Sequence, residues 1–276
     1  MPLSIALGLV IAACVPRKRT PEQEATGAPS AQTAQGNDDA PESDEGPARA
    51  KPAARRTPTR ALPSAEPERQ ARASERPDPL LSRPFRDSFE REGLGPEWRT
   101  TSGRWNVHEG QLCVQGARNH PLWLKQRLPR NARIEFDAVS YSADGDIKAE
   151  FWGDGKSAAA SVSYTNATSY LTIFGGWKNQ FHVLARIDEH APDRQQIRID
   201  RGMNELKSRA VEKGMVYHFK VERNDGKTVR WLIDDLELFV LADPKPLAGP
   251  GHNHFGFNNW DTRVCFDNLV VTPLPG

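Results

Sequence analysis

From residue 84 onward, apolar and polar positions alternate in short runs. In residues 132–138, Ile134 and Phe136 point one way while Arg133, Glu135 and Asp137 point the other. Ile147, Ala149 and Phe151 oppose Lys148, Glu150, Trp152 and Asp154, and Tyr217, Phe219 and Val221 oppose His218, Lys220 and Glu222. A period of two is the signature of a strand with one dry and one polar face. Such runs recur at roughly 8–12-residue spacing, separated by Gly, Asn, Asp and Pro clusters, and no helical period of useful length intervenes. The pattern predicts an all-β fold, a two-sheet antiparallel sandwich of jelly-roll type. Glu109-Gly110 and Asn224-Asp225-Gly226 mark turns, the latter with residues that accept a positive φ. The run AASVSY at 159–164 is predicted as a strand, and 188–213 as a long loop with one added strand.

The preceding third has a different character. Residues 14–83 are rich in Pro, Ala, Ser, Glu and Arg and show no period of 2 or 3.6. Such a segment cannot bury enough surface to offset its ordering entropy, so it is predicted to be a disordered tether. As a coil it would span roughly 40–50 Å root-mean-square. An acidic patch (Asp38, Asp39, Glu42, Asp44, Glu45) precedes a basic one (Arg49, Lys51, Arg55, Arg56, Arg60). Ahead of it, residues 1–13 form an apolar run too short to span a bilayer and laid out like a signal peptide. Ile11-Ala12-Ala13-Cys14 resembles the bacterial lipobox, which implies cleavage before Cys14, lipidation of its thiol and a location on the cell envelope. The expected membrane contact is through that anchor, at the outer membrane or cell surface, with the periplasm as the fallback.

Charge narrows the partners. The chain carries 37 Lys+Arg against 36 Asp+Glu, and the tail holds nearly equal numbers of each sign, so the sandwich is close to neutral. That lacks the basic excess needed to hold a phosphate backbone, and nucleic acid is excluded as a partner. With Cys14 lipidated, Cys113 and Cys265 remain in an exported protein, either as a disulfide or as two separate buried thiols.

Residues 87–112, DSFEREGLGPEWRTTSGRWNVHEGQL, resemble the opening of concanavalin A-like lectin/glucanase sandwiches. WLIDD at 231–235, DPKPL at 243–247, HFGFNNW and VCFDNLVV resemble their closing strands. The resemblance spans 84–276 and implies the sandwich fold. It also places Trp98, Trp105 and Trp231 in the core, and a structural calcium bound by oxygens such as those of Asp267 occurs in similar domains. It does not choose among lectin-like modules, laminarinase-like glucanases, lyases and 3-keto-disaccharide hydrolase-type domains.

Residues 145–190 are predicted to form the floor of a binding groove. Carbohydrate recognition joins aromatic faces to a few placed polar groups. The candidates are Glu150, Trp152, Asp154, Trp177, Asn179, Arg186, Glu189, His190, Asn259 and Trp260. A glycan-active enzyme, hydrolase or lyase, needs a carboxylate pair, and Glu135 and Asp137 lie about 6.6 Å apart on one strand face. Glu135-x-Asp137-x-x-Ser140 departs, at its last position, from the Glu-x-Asp-x-x-Glu of the laminarinase-like enzymes. His190 beside Glu189 is the other acid–base candidate. The plainer explanation of these groups is a solvated strand face or a local salt-bridge cluster, and a purely structural or protein-contacting envelope module is the third class. His252-x-His254 is a weak metal pair in a Gly/Pro/Asn loop. No cofactor is otherwise implied.

Overall fold

The computed structural model describes residues 76–202 and 205–276; the signal-like segment, Cys14 and nearly all of the tail lie outside these residues. The described chain folds into two packed antiparallel sheets, as the alternating pattern predicts. The strands run β1 Phe85–Asp87, β2 Trp98–Thr100, β3 Asn106–His108, β4 Gln111–Val114, β5 Leu122–Leu124, β6 Ala132–Ser140, β7 Ile147–Gly153 and β8 Tyr170–Gly175. They continue with β9 Phe181–Arg186, β10 Gln195–Arg198, β11 Val216–Arg223, β12 Thr228–Ile233, β13 Leu236–Ala242, β14 His254–Asn258 and β15 Val264–Pro273. The first sheet has the order β13-β12-β11-β6-β15-β4-β3, with β1 also on β15, and the second has β10-β9-β8-β7-β14-β5-β2.

The inward positions read from the sequence meet in one core. Phe136 of β6 stacks on Phe219 at 4.8 Å and meets Phe257 of the facing sheet edge-on at 5.2 Å. Phe255, Phe257 and Phe266 are fully buried around it. Each such ring contributes on the order of 1.5–3 kcal/mol on leaving water. Trp98, Trp105 and Trp231 are buried in the same core. Cys113 and Cys265 are directly opposed on β4 and β15 and form a disulfide that joins an early strand to the last one.

Three expectations need correction. The sandwich starts before residue 84: Leu81 is buried, its N–H donates to Arg127 O at 2.8 Å, and Asp78 pairs with Arg99 at 3.0 Å. Two leucines after a proline are too short a run to show a period. Residues 159–164 are a loop, because Tyr164 and the Asn166 amide turn the chain back over the second sheet. The alternation in β7 breaks at Trp152, whose φ is 54°. It sits at a register shift where Phe151 pairs with Phe255 and Gly153 with His254. The bulge leaves Trp152 without a partner and turns it into the core.

The outer face of the second sheet is covered rather than solvated. Trp123 lies flat against it, and a Cβ on Gly153 or Gly256 would fall 2.5 or 2.7 Å from that ring, so both strands need glycine there. Its indole N–H holds Ser157 O at 2.9 Å, pinning one end of the 154–168 loop. Tyr164 and Ala167 of that loop pack on Leu171, Ile173, Val183 and Ala185. Those four side chains thus form a second, smaller core under the loop.

Beneath the loop, Glu150 is fully buried and accepts hydrogen bonds from Tyr164 Oη (2.8 Å), Ser169 Oγ (2.6 Å) and Asn258 Nδ2 (2.7 Å). Burial outweighs these donors and raises its pKa to about 7. The folded protein therefore holds a proton that the unfolded chain releases above about 4.5. This contribution to stability is complete below pH 4.5 and is lost as the pH rises through 7, a fall of roughly 3 kcal/mol. Denaturant titrations between pH 4.5 and 8 should show the decline in the wild type and a flatter profile in Glu150→Gln. An unchanged slope in that variant would place the proton on another group.

Candidate functional site

The covering loop leaves one end of the outer face open, and a cleft of about 540 Å³ lies there. Its floor is charged. Lys148 of β7 is buried and donates to Glu189 Oε2 at 2.7 Å and to Asn119 Oδ1 at 2.8 Å. Both partners of the ion pair have nearly inaccessible side chains (3% and 8% exposed), so each depends on the other for its charge. Asp146 lies beside them. Burial first, then the neighbouring Glu189 and Asp261 charges, push its pKa above the usual carboxylate range despite Lys148. Its Oδ2 and the Asn119 Nδ2 are buried and have no protein partner.

The cleft walls are aromatic. Trp177, Phe181 and Trp260 line the cleft. Each indole is backed by a guanidinium: Arg194 lies 4.6 Å from the Trp177 ring and Arg118 lies 4.6 Å from the Trp260 ring. Such cation–π contacts hold a ring in place. Arg194 also donates to Glu189 O at 2.6 Å, and Arg118 pairs with Asp261 at 3.0 Å. His190 meets the Trp177 ring edge-on at 5.8 Å and its Nε2 lies 3.3 Å from Glu189 Oε1.

Trp177 is held in a costly backbone. Trp177, Lys178 and Asn179 all have left-handed φ values of 52°, 57° and 61°. Outside glycine this conformation costs on the order of 1–2 kcal/mol per residue, with Asn the more tolerant type. Buried Asn179 supports the turn, donating to Ala143 O and Val211 O and accepting from Val211 N–H. Behind it His182, stacked on Phe174 at 4.3 Å, accepts from Gly175 N–H and donates to Arg209 O. Burial lowers the His182 pKa to about 4, so this support stays neutral.

No family model and no curated protein sequence matches the chain. Among solved structures it is similar to the carbohydrate-binding module CBM66 from Bacillus subtilis, at 16% identity and a TM-score of 0.48 over 64% of this chain and 95% of that one. It is similar to the carbohydrate recognition domain of Emp47p at 14% identity and 0.48, covering 71% and 98%. It is also similar to the apo Crh5 transglycosylase at 9% and 0.49, covering 71% and 87%. Likenesses this distant assign no activity to this chain.

Of the ten binding candidates, the fold brings Trp177, Glu189, His190 and Trp260 together at the cleft. The others have structural duties. Glu150 is sealed under the loop and Trp152 lies in the core, its indole N–H on Pro129 O and Arg223 across its ring. Asp154 caps its own turn by accepting from the Lys156 and Ser157 N–H groups. Asn179 supports the left-handed turn. Arg186 lies at the far end of β9, bound to Asp243 and to Lys245 O. Asn259 accepts from Ala117 N–H and donates to Thr262 O, framing the turn that carries Trp260.

Glu135 and Asp137 lie on the other sheet, away from the cleft, where Asp137 pairs with His218 at 2.8 Å and accepts from Asn268. Asp267 is opposite Asp137 across β15 and β6. Among the described residues no group of three or more His, Cys, Asp or Glu side chains is arranged to hold a metal. His252 bonds to Thr168 O and His254 to Asp78, so that pair does not converge. The sequence does not single out Asp146, Lys148 and Phe181 as cleft residues, whereas Asp261 is marked by its place beside Trp260; nothing local marks Asp146 as buried.

Proposed function

We propose that this domain is a carbohydrate-binding module of the bacterial cell envelope, with its ligand in the cleft between Trp177 and Trp260. The observation that carries this reading is the strained left-handed turn that presents Trp177. Three consecutive non-glycine residues are kept in an unfavourable conformation to place one aromatic face beside a polar floor. An apolar wall with a few fixed polar groups suits a sugar, whose C–H faces stack on indoles and whose hydroxyls bond to Asp146, Lys148 and Glu189. Binding should be measured on a glycan array and then by calorimetry with the best ligand. Trp177→Ala and Trp260→Ala should each weaken it by roughly tenfold to a hundredfold, about 1.4–2.8 kcal/mol, with the fold retained. Undiminished binding in both would remove the cleft assignment.

A glycan-active enzyme is the second reading, and one observation favours it. Asp146, driven toward its protonated form, lies near Glu189, which is ion-paired to Lys148; two carboxyls in opposed environments can serve as acid and base. Incubation with a polysaccharide panel should then produce new reducing ends or unsaturated products, abolished in Asp146→Asn. An absence of turnover on any glycan that the protein binds would leave binding alone.

The module is proposed to be carried on a lipid anchor at Cys14, at the outer membrane or cell surface, with residues 15–75 as the spacer. Each buried acyl CH₂ adds about 0.8 kcal/mol, so several chains on one cysteine suffice for lasting attachment. Palmitate labelling in a bacterial host should be lost in Cys14→Ser, and labelling that persists would rule the anchor out.

A further inference from the structure

A second groove, of about 970 Å³, opens where the tail enters the sandwich. It is lined by cations from three separate segments: Arg76 before β1, Arg127 and Arg130 after β5, and Lys156 from the covering loop. The acids nearby are already engaged. Asp78 accepts both Arg99 amino groups, at 3.0 and 3.1 Å, and His254 Nε2 at 3.1 Å. Asp154 is taken up by the Lys156 and Ser157 backbone N–H groups of its own turn. Among the described residues, Arg127, Arg130 and Lys156 form no salt bridge, although the Lys156 charge is felt by the Asp154 carboxylate. Arg127 and Arg130 use only Nε, on Asp78 O and Gly226 O, which leaves their terminal amino groups for a ligand. The opposite lip, Gly249-Pro250-Gly251, carries little side chain, and a Cβ at either glycine would meet open space.

From this arrangement we infer that the groove is an anion site that takes a phosphate-bearing group. Guanidinium forks and an ammonium on three segments lining one groove suit a phosphate, whose several oxygens can each take a separate donor. Arg76, Arg130 and Lys156 are exposed and Arg127 is half-buried, so binding to them should weaken as salt rises. The site is independent of the Trp177–Trp260 cleft and does not rest on the glycan reading.

The phosphate could belong to a lipid headgroup or to a soluble or polymer-borne group, and one experiment separates them. Full-length protein carrying Cys14→Ser, which bears no acyl chain, is titrated with pyrophosphate by calorimetry. In parallel it is co-sedimented with phosphatidylglycerol vesicles and with phosphatidylcholine vesicles. Lys156→Gln combined with Arg76→Gln removes two cations that make no hydrogen bond or ion pair with other described residues, so the fold is spared. The expected result is phosphate-dependent binding that weakens at least fivefold in the double variant. Pyrophosphate binding without vesicle binding identifies a soluble or polymer-borne phosphate. Phosphatidylglycerol binding without pyrophosphate binding identifies a lipid headgroup, and binding of both identifies a site open to either. Binding of neither probe, or equal binding by the double variant, overturns the inference; the latter would move the contact to the basic patch of the tail.

Discussion

Removing a glutamate side chain from water costs several kcal/mol unless hydrogen bonds replace its hydration, and Glu150 stands at the middle of the outer face of the second sheet with no solvent contact. Its three donors come from the covering loop, the residue just before β8 and the end of β14. Satisfying that one carboxyl therefore fixes where the loop lies. Trp123 completes the arrangement by occupying space that two glycines leave open and by holding Ser157. The cleft is what remains of the sheet face once the loop is in place.

The same loop explains why the cleft floor can hold charge. Lys148 and Glu189 keep only a small exposed edge at the cleft, so their attraction is strong and neither can lose its partner cheaply. The pair links β7 to the segment after β9, and Arg194 ties that segment to the face of Trp177. Aromatic wall and polar floor are thus one connected unit. A ligand meeting it finds groups already oriented, which is the condition for useful affinity from few contacts.

The fold was legible because strand alternation is a local property. Ile134 and Phe136, or Tyr217, Phe219 and Val221, declare their inner face by spacing alone, and Trp98, Trp105 and Trp231 fell in the core as the resemblance implied. The site was legible only in part. Trp177, Glu189, His190 and Trp260 were found because aromatic and charged residues in loops have little packing to do. Trp152 misled because period-two reasoning assumes a regular ladder, and a bulge reverses the side chain that follows. Glu150 was read as a groove residue and Lys148 as part of an open polar face because a covering loop leaves no mark on the strand that it covers.

What the sequence by itself determined is therefore the set of alternating runs, the turns between them, the near-neutral charge and the change of character at residue 84. All of these depend on neighbours a few residues apart. Tertiary structure alone decided which polar residues reach solvent, which carboxyl sits beside which cation, and that residues as distant as Asp146, Trp177, Glu189 and Trp260 share one cleft. Those outcomes follow from how two sheets and a long loop pack. The stretch between residues 145 and 190 supplies Asp146, Lys148, Trp177, Glu189 and His190 to the cleft, and Trp260 and Asp261 reach it from outside that stretch.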